Sequence, residues 1–368
     1  LRSLALSLSL LAGCFSPQGS ALEFETLPFE NDYTTAPDIV LQPFEYPDLL
    51  CPDGEPSVFY AVYRTGNNDP APIVLFFHAG AFDYITTPDP SQPLDGAGYQ
   101  DQHRFSSEWA GNKVFETFGL LPGEALDPTE VNAGTLPAAL ANAGAFTLYP
   151  ANCWGDLWHN EDYYSPNNWD LDVFHRQGRF LAWWMTRIAS QDADEAAAWR
   201  AQYGLTPEDG FPISLDATGV YIVGLGEGGR AAAELLRRQR DAGDGDMPTI
   251  NGIVIDSTMD KLTWIANQDQ FARYREGLVR IFPDVIDTDV GMYSLDRWIN
   301  EQGLDQNLEV VWSSADTQVP DETLSDLIAR QSTYPDSMTV TDTALSGHVF
   351  LNNDESSARR VVDTLLTP

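Results

Sequence analysis

The stretch Gly219-Val220-Tyr221-Ile222-Val223-Gly224-Leu225-Gly226-Glu227-Gly228-Gly229 decides how this chain is read. It opens on an apolar run of strand length and breaks at Gly224. It then passes into Arg230 to Arg240, rich in Ala, Leu and Arg, which reads as a helix. Outward from this point the alternation repeats. Short buried-strand patterns stand at Pro72 to Phe77, Ala145 to Pro150, Ile250 to Ile255, Leu308 to Trp312 and Met338 to Val340. Phe174 to Ser190 carries bulky apolar residues at helical spacing. Buried strands alternating with helices predict an α/β fold, a mostly parallel sheet flanked by helices on both faces. Ser57 to Tyr63 reads as a leading strand before that series.

The domain is expected over 43–368, with lid-like insertions at about 83–135, 154–170 and 262–303. Such insertions, at the carboxyl ends of parallel strands, are where these folds build their sites. The second follows a strand and is dense in aromatics (Trp154, Trp158), so it is read either as pocket lining or as a loop packed on the core.

The glycine turn admits two chemistries. Gly224, Gly226 and Gly229 spell G-x-G-x-x-G, and Asp256 ends the next strand, as in a dinucleotide fingerprint. Yet Asp256 comes later than the roughly 20 residues that fingerprint expects, and the motif sits mid-chain. The same residues also fit small-x-nucleophile-x-small, the elbow that holds a nucleophile on a sharp strand-to-helix turn. Gly224 and Gly228 fill the small positions, which centres the motif on Gly226. Centring it on Glu227 would put Leu225 where bulk is not tolerated.

Three further segments, in chain order, resemble the α/β-hydrolase superfamily of esterases and lipases. His78-Ala79-Gly80-Ala81-Phe82 follows a buried strand and resembles the HGGG-type oxyanion loop. Val310-Val311-Trp312-Ser313-Ser314-Ala315-Asp316, with Val319-Pro320 after it, resembles the loop of the triad acid. Leu345-Ser346-Gly347-His348 resembles the loop of the catalytic histidine. The resemblance runs from about Pro43 to the C-terminus and implies an α/β-hydrolase fold. It makes Gly226 the degenerate nucleophile position, Asp316 the acid and His348 the base. Backbone N–H groups of Gly80, Ala81 and Glu227 would serve the oxyanion. Asp256 or Asp260 is an alternative acid, and Ser257 an off-elbow alternative nucleophile.

The N-terminus resembles a bacterial lipoprotein leader. Arg2 precedes a short apolar run, Leu4 to Ala12, and Leu11-Ala12-Gly13-Cys14 matches a lipobox. That implies a signal peptide over 1–13, a lipid on Cys14 and a tether and extension over 14–42. The protein would then be exported and held in the cell envelope, in the outer membrane if the cell is Gram-negative. An ordinary signal peptide with an incidental cysteine is the alternative. Cys51 and Cys153 remain, as a disulfide in an oxidising compartment or as two separate thiols.

The formal net charge is −35, from 55 acidic and 20 basic residues. Such a surface repels phosphates, so nucleic acid is excluded as a partner. It suits either a saline habitat or an acidic envelope protein. His103, His159 and His175 show no metal-ligand spacing. The acidic run Asp241 to Asp246 lacks the downstream Glu of a calcium loop, so no metal or cofactor is expected.

A glycine at 226 cannot form an acyl-enzyme. The expected function is therefore binding of a small apolar or ester-like ligand by a catalytically impaired hydrolase fold. Relatives of this fold that lack the serine act in adhesion or binding, and no protein partner is implied. The alternatives are an active acyl hydrolase using water or another nucleophile, and a dinucleotide-binding protein.

Overall fold

The computed structural model describes residues 38–50, 56–66, 69–77, 135–150, 193–202, 215–226, 249–258, 294–316, 321–344 and 355–366. It also describes 206, 228–229, 232–233, 235–236 and 319. Eight strands form one sheet: β1 (Ile39–Leu50), β2 (Pro56–Arg64), β3 (Ala71–Phe77), β4 (Phe146–Pro150), β5 (Leu215–Leu225), β6 (Ile250–Asp256), β7 (Asn307–Trp312) and β8 (Met338–Asp342). Their order across the sheet is β1-β2-β4-β3-β5-β6-β7-β8. β2 pairs antiparallel with β1 and β4, and every pairing from β4 to β8 is parallel. The mostly parallel sheet expected from the sequence is therefore present.

Alternation along the strands shows that both faces of the sheet are covered. Val74 and Phe76 of β3 join Val223 and Leu225 of β5, Val254 and Val311 in one buried cluster. Their neighbours Ile73, Leu75, Phe77, Ile222, Ile253 and Ile255 point the opposite way and are buried too. A strand buried on both sides reads as a continuous apolar run, as these strands do in the sequence.

Helix α1 (Leu136–Asn142) contributes Leu136, Leu140 and Ala141 to the cluster. The Thr135 hydroxyl caps it by accepting the Ala138 N–H, and Pro137 lies in its first turn, where no amide hydrogen is needed. α2 (Ala193–Gln202) follows later in the chain. α3 (Leu295–Gln302) is capped by Ser294 and buries Leu295 and Ile299. It lies inside the segment expected as the third insertion and belongs to the packed body. α4 (Asp321–Arg330) buries Leu324 and Leu327, and its Arg330 meets Asp296 of α3 at 2.8 Å. α5 (Glu355–Leu366) turns Val361 and Leu365 onto the same cluster as α1. Each such Leu or Val burial stabilises the fold by roughly 1.5–3 kcal/mol.

Some bounds differ from expectation. β1 begins at Ile39, ahead of Pro43, because Ile39 and Leu41 pair with β2 and are buried. β8 runs past Val340 to Asp342, carried by its pairing with Trp312. Phe174 to Ser190 lies outside the described residues, as do 83–134, 154–170 and 262–293 of the expected insertions.

Candidate functional site

The carboxyl ends of β3, β5, β6, β7 and β8 lie along one edge of the sheet. Phe77 stands opposite Gly224, and Leu225, Asp256, Val311 and Thr341 form one row across four strands. The next row brings Trp312 opposite Asp342. Adjacent strands are about 4.8 Å apart, so the end of β7 lies roughly 10 Å from the end of β5.

At the end of β5 the chain turns sharply. Gly226 has φ +54°, the left-handed region that favours glycine, and its N–H donates to the Asp256 carbonyl oxygen at 2.7 Å. Gly228, Gly229, Ala232, Ala233, Leu235 and Leu236 then have helical conformation. The glycines flanking Gly226 have no room for side chains. A Cβ on Gly224 would lie 2.7 Å from the Gly229 nitrogen. One on Gly228 would overlap the Phe77 carbonyl oxygen, and one on Gly229 would overlap the Thr258 side chain. The start of the helix is thus pressed against the point where the chain leaves β3 for residue 78.

β6 ends in three buried polar residues, Asp256, Ser257 and Thr258. The Ser257 hydroxyl donates to the Asp256 carboxylate at 2.8 Å, and Ser257 has φ +52°. Its N–H continues the ladder to the Val311 carbonyl oxygen at 3.0 Å. Asp256 thus supports the glycine turn through its carbonyl while its carboxylate holds the Ser257 hydroxyl, and Ser257 is only 1% exposed.

After β7 the chain folds into a compact turn. The Asp316 N–H donates to the Ser313 carbonyl oxygen at 3.0 Å, and the Ala315 N–H to the Ser313 hydroxyl at 3.1 Å. The Asp316 carboxylate is buried and accepts the Val319 N–H at 3.1 Å. The Asp316-to-Val319 spacing in the sequence is thus the span of a local side-chain-to-backbone hydrogen bond three residues on.

A residue not singled out from the sequence joins this turn to β8. One Asp342 carboxylate oxygen accepts the Ser314 N–H at 3.1 Å and the Ala344 N–H at 2.9 Å. These bonds, Ser314 first, hold the Asp342 carboxyl below the usual carboxylate range against a smaller opposing effect of burial. Ala344 itself has φ +54°. The signal in the sequence is an Asp just past Val340, where the apolar pattern of the last strand stops.

Gly224, Gly226, Gly228 and Asp316 are therefore all placed on this edge. Gly80, Ala81, Glu227, His348 and the alternative acid Asp260 lie outside the described residues, as do Cys14, Cys51 and Cys153.

The sequence matches no protein-family model and no curated protein. Solved structures do resemble the fold. One is an inhibited esterase B from Lactobacillus rhamnosis, with TM-score 0.54 and 11% identity, covering 91% of this chain and 88% of that one. A fungal esterase from Rhizomucor miehei superposes with TM-score 0.53 at 11% identity, covering 95% and 88%. A thermostable esterase from Pseudomonas putida superposes with TM-score 0.53 at 12% identity, covering 96% and 92%. At such identities the likeness concerns architecture. The fold is a mostly parallel mixed sheet flanked by helices, as in α/β-hydrolase esterases.

Proposed function

We propose that this protein is a ligand-binding member of the esterase-like fold in which Gly226 stands where a nucleophilic serine would stand. The observation that carries this reading is the turn itself. Gly226 has a left-handed φ between a strand and a helix, and Gly224 and Gly228 on either side have no room for a Cβ. That pattern supports the small-x-nucleophile-x-small register. It argues against a dinucleotide fingerprint, which leaves position 228 free although Gly228 is tightly enclosed.

With serine at 226, the hydroxyl would attack an acyl carbon, His348 would take its proton, and Asp316 would orient the imidazole. Gly226 has no hydroxyl, so no covalent acyl-enzyme forms there. Asp316 and His348 then serve a pocket that holds a small apolar or ester-like molecule. The lipobox resemblance at Cys14 makes the cell envelope the proposed setting.

The second reading is an active hydrolase with another nucleophile. It is favoured by Ser257, whose left-handed φ and bond to Asp256 resemble an activated hydroxyl, and opposed by the burial of that side chain.

The test is hydrolysis of short p-nitrophenyl esters by wild type, Gly226→Ser and Ser257→Ala, with a serine-directed phosphonate as probe. Gly226→Ser is expected to exceed wild type by at least about tenfold, through the added nucleophile, and to be labelled by the phosphonate. Wild type as fast as Gly226→Ser, and slowed in Ser257→Ala, would overturn the binding reading in favour of Ser257.

A further inference from the structure

The geometry points to Asp342 as a positioning residue that holds the Asp316 turn at the carboxyl edge of the sheet. The inference rests on Asp316 being the acid of the proposed site.

The Asp316 turn has two kinds of support. Its own bonds close it: Asp316 N–H to Ser313 oxygen, Ala315 N–H to Ser313 hydroxyl, Val319 N–H to the Asp316 carboxylate. None of these says where the turn points relative to the sheet. That direction comes from the neighbouring strand. Asp342 stands opposite Trp312 in the parallel β7–β8 ladder, and the Thr343 N–H extends that ladder to the Trp312 carbonyl oxygen at 2.9 Å. From there the Asp342 carboxylate reaches over to the Ser314 N–H, the first amide of the turn past Ser313. The same oxygen accepts the Ala344 N–H, which fixes the carboxylate on its own strand. One exposed carboxylate therefore ties the turn after β7 to the chain leaving β8.

Bonds to a charged acceptor are stronger than neutral ones. A one-ångström displacement of an acid from its partner is enough to cost a catalytic site much of its rate. Asp342 touches no reacting atom in this scheme and acts through Asp316.

The test uses the full chain and two readouts. The first is the amide proton resonance of Val319, which reports its bond to the Asp316 carboxylate. Asp342→Ala should move it toward its position in Asp316→Ala, while Asp342→Asn, which keeps an acceptor oxygen, should leave it in place. A residue that only finishes β8 would move the Ala344 amide and leave Val319 unchanged, and that result overturns the proposal. Should Asp342→Ala not fold, Asp342→Ser, whose side chain falls short of Ser314, takes its place. The second readout is kcat and KM for ester hydrolysis in the Gly226→Ser background. There Asp342→Ala should lower kcat about tenfold with KM within about twofold, and Asp342→Asn should recover most of it. An inactive Gly226→Ser protein counts against the proposed function alone, and the Val319 resonance still decides the role of Asp342.

Discussion

At Gly226 the backbone adopts φ +54°, and at Gly228 the chain passes against the Phe77 carbonyl oxygen. These two glycines are required for different reasons, and substitution separates them. Alanine or serine at 226 keeps a conformation that L-residues adopt at a cost of about 1–2 kcal/mol. Gly226→Ala and Gly226→Ser should lose similar stability in urea unfolding, while only the serine variant gains ester hydrolysis. Alanine at 228 meets backbone, which cannot rotate away, so Gly228→Ala should lose about 3 kcal/mol, the upper end of overpacking costs. Equal stability of Gly228→Ala and wild type would contradict that close approach. The spacing of these glycines was legible in the sequence. What each one avoids was not, because Phe77 is remote in the chain and reaches Gly228 only through the β3–β5 pairing.

Among the elements, α5 is held to the sheet by a polar contact as well as by Val361 and Leu365. Glu309 of β7 is buried, and its carboxylate meets the Arg360 guanidinium at 2.6 Å and the Thr364 hydroxyl at 2.6 Å. The Thr341 hydroxyl of β8 donates to the same carboxylate at 3.3 Å, and Arg360 also bonds to that hydroxyl. The group therefore links β7, β8 and α5. Arg360→Ala leaves a buried carboxylate short of a donor and should cost roughly 1–3 kcal/mol in denaturant unfolding. Adding Glu309→Leu should restore part of the loss, because an apolar side chain there needs no partner. A double variant weaker than Arg360→Ala would show that the carboxylate has a further use. A Glu inside the apolar run Leu308 to Trp312 was visible in the sequence. Its partners, 32 to 55 positions away, were not.

For the whole molecule, charge sets how stability responds to the solvent. A net −35 makes the folded chain repel itself, and salt relieves this as the screening length falls from about 30 Å at 0.01 M to about 3 Å at 1 M. The melting temperature should rise with ionic strength over that range, and by the same amount in sodium and choline chlorides. A flat profile would show that repulsion does not limit stability. Among the described residues no helix is long and apolar enough to cross a membrane.

Strands β2 to β8, the alternation of strand and helix, and the glycine turn were determined by the sequence alone, because they follow from local apolar runs and from residues without a Cβ. β1 emerged only through its pairing with β2. The order of the strands was decided only by tertiary pairing, and with it the edge that gathers Gly226, Asp256 and Asp316. So was the link from Asp342 to Ser314, since a carboxylate selects its donors by position in space and those donors belong to another strand's turn.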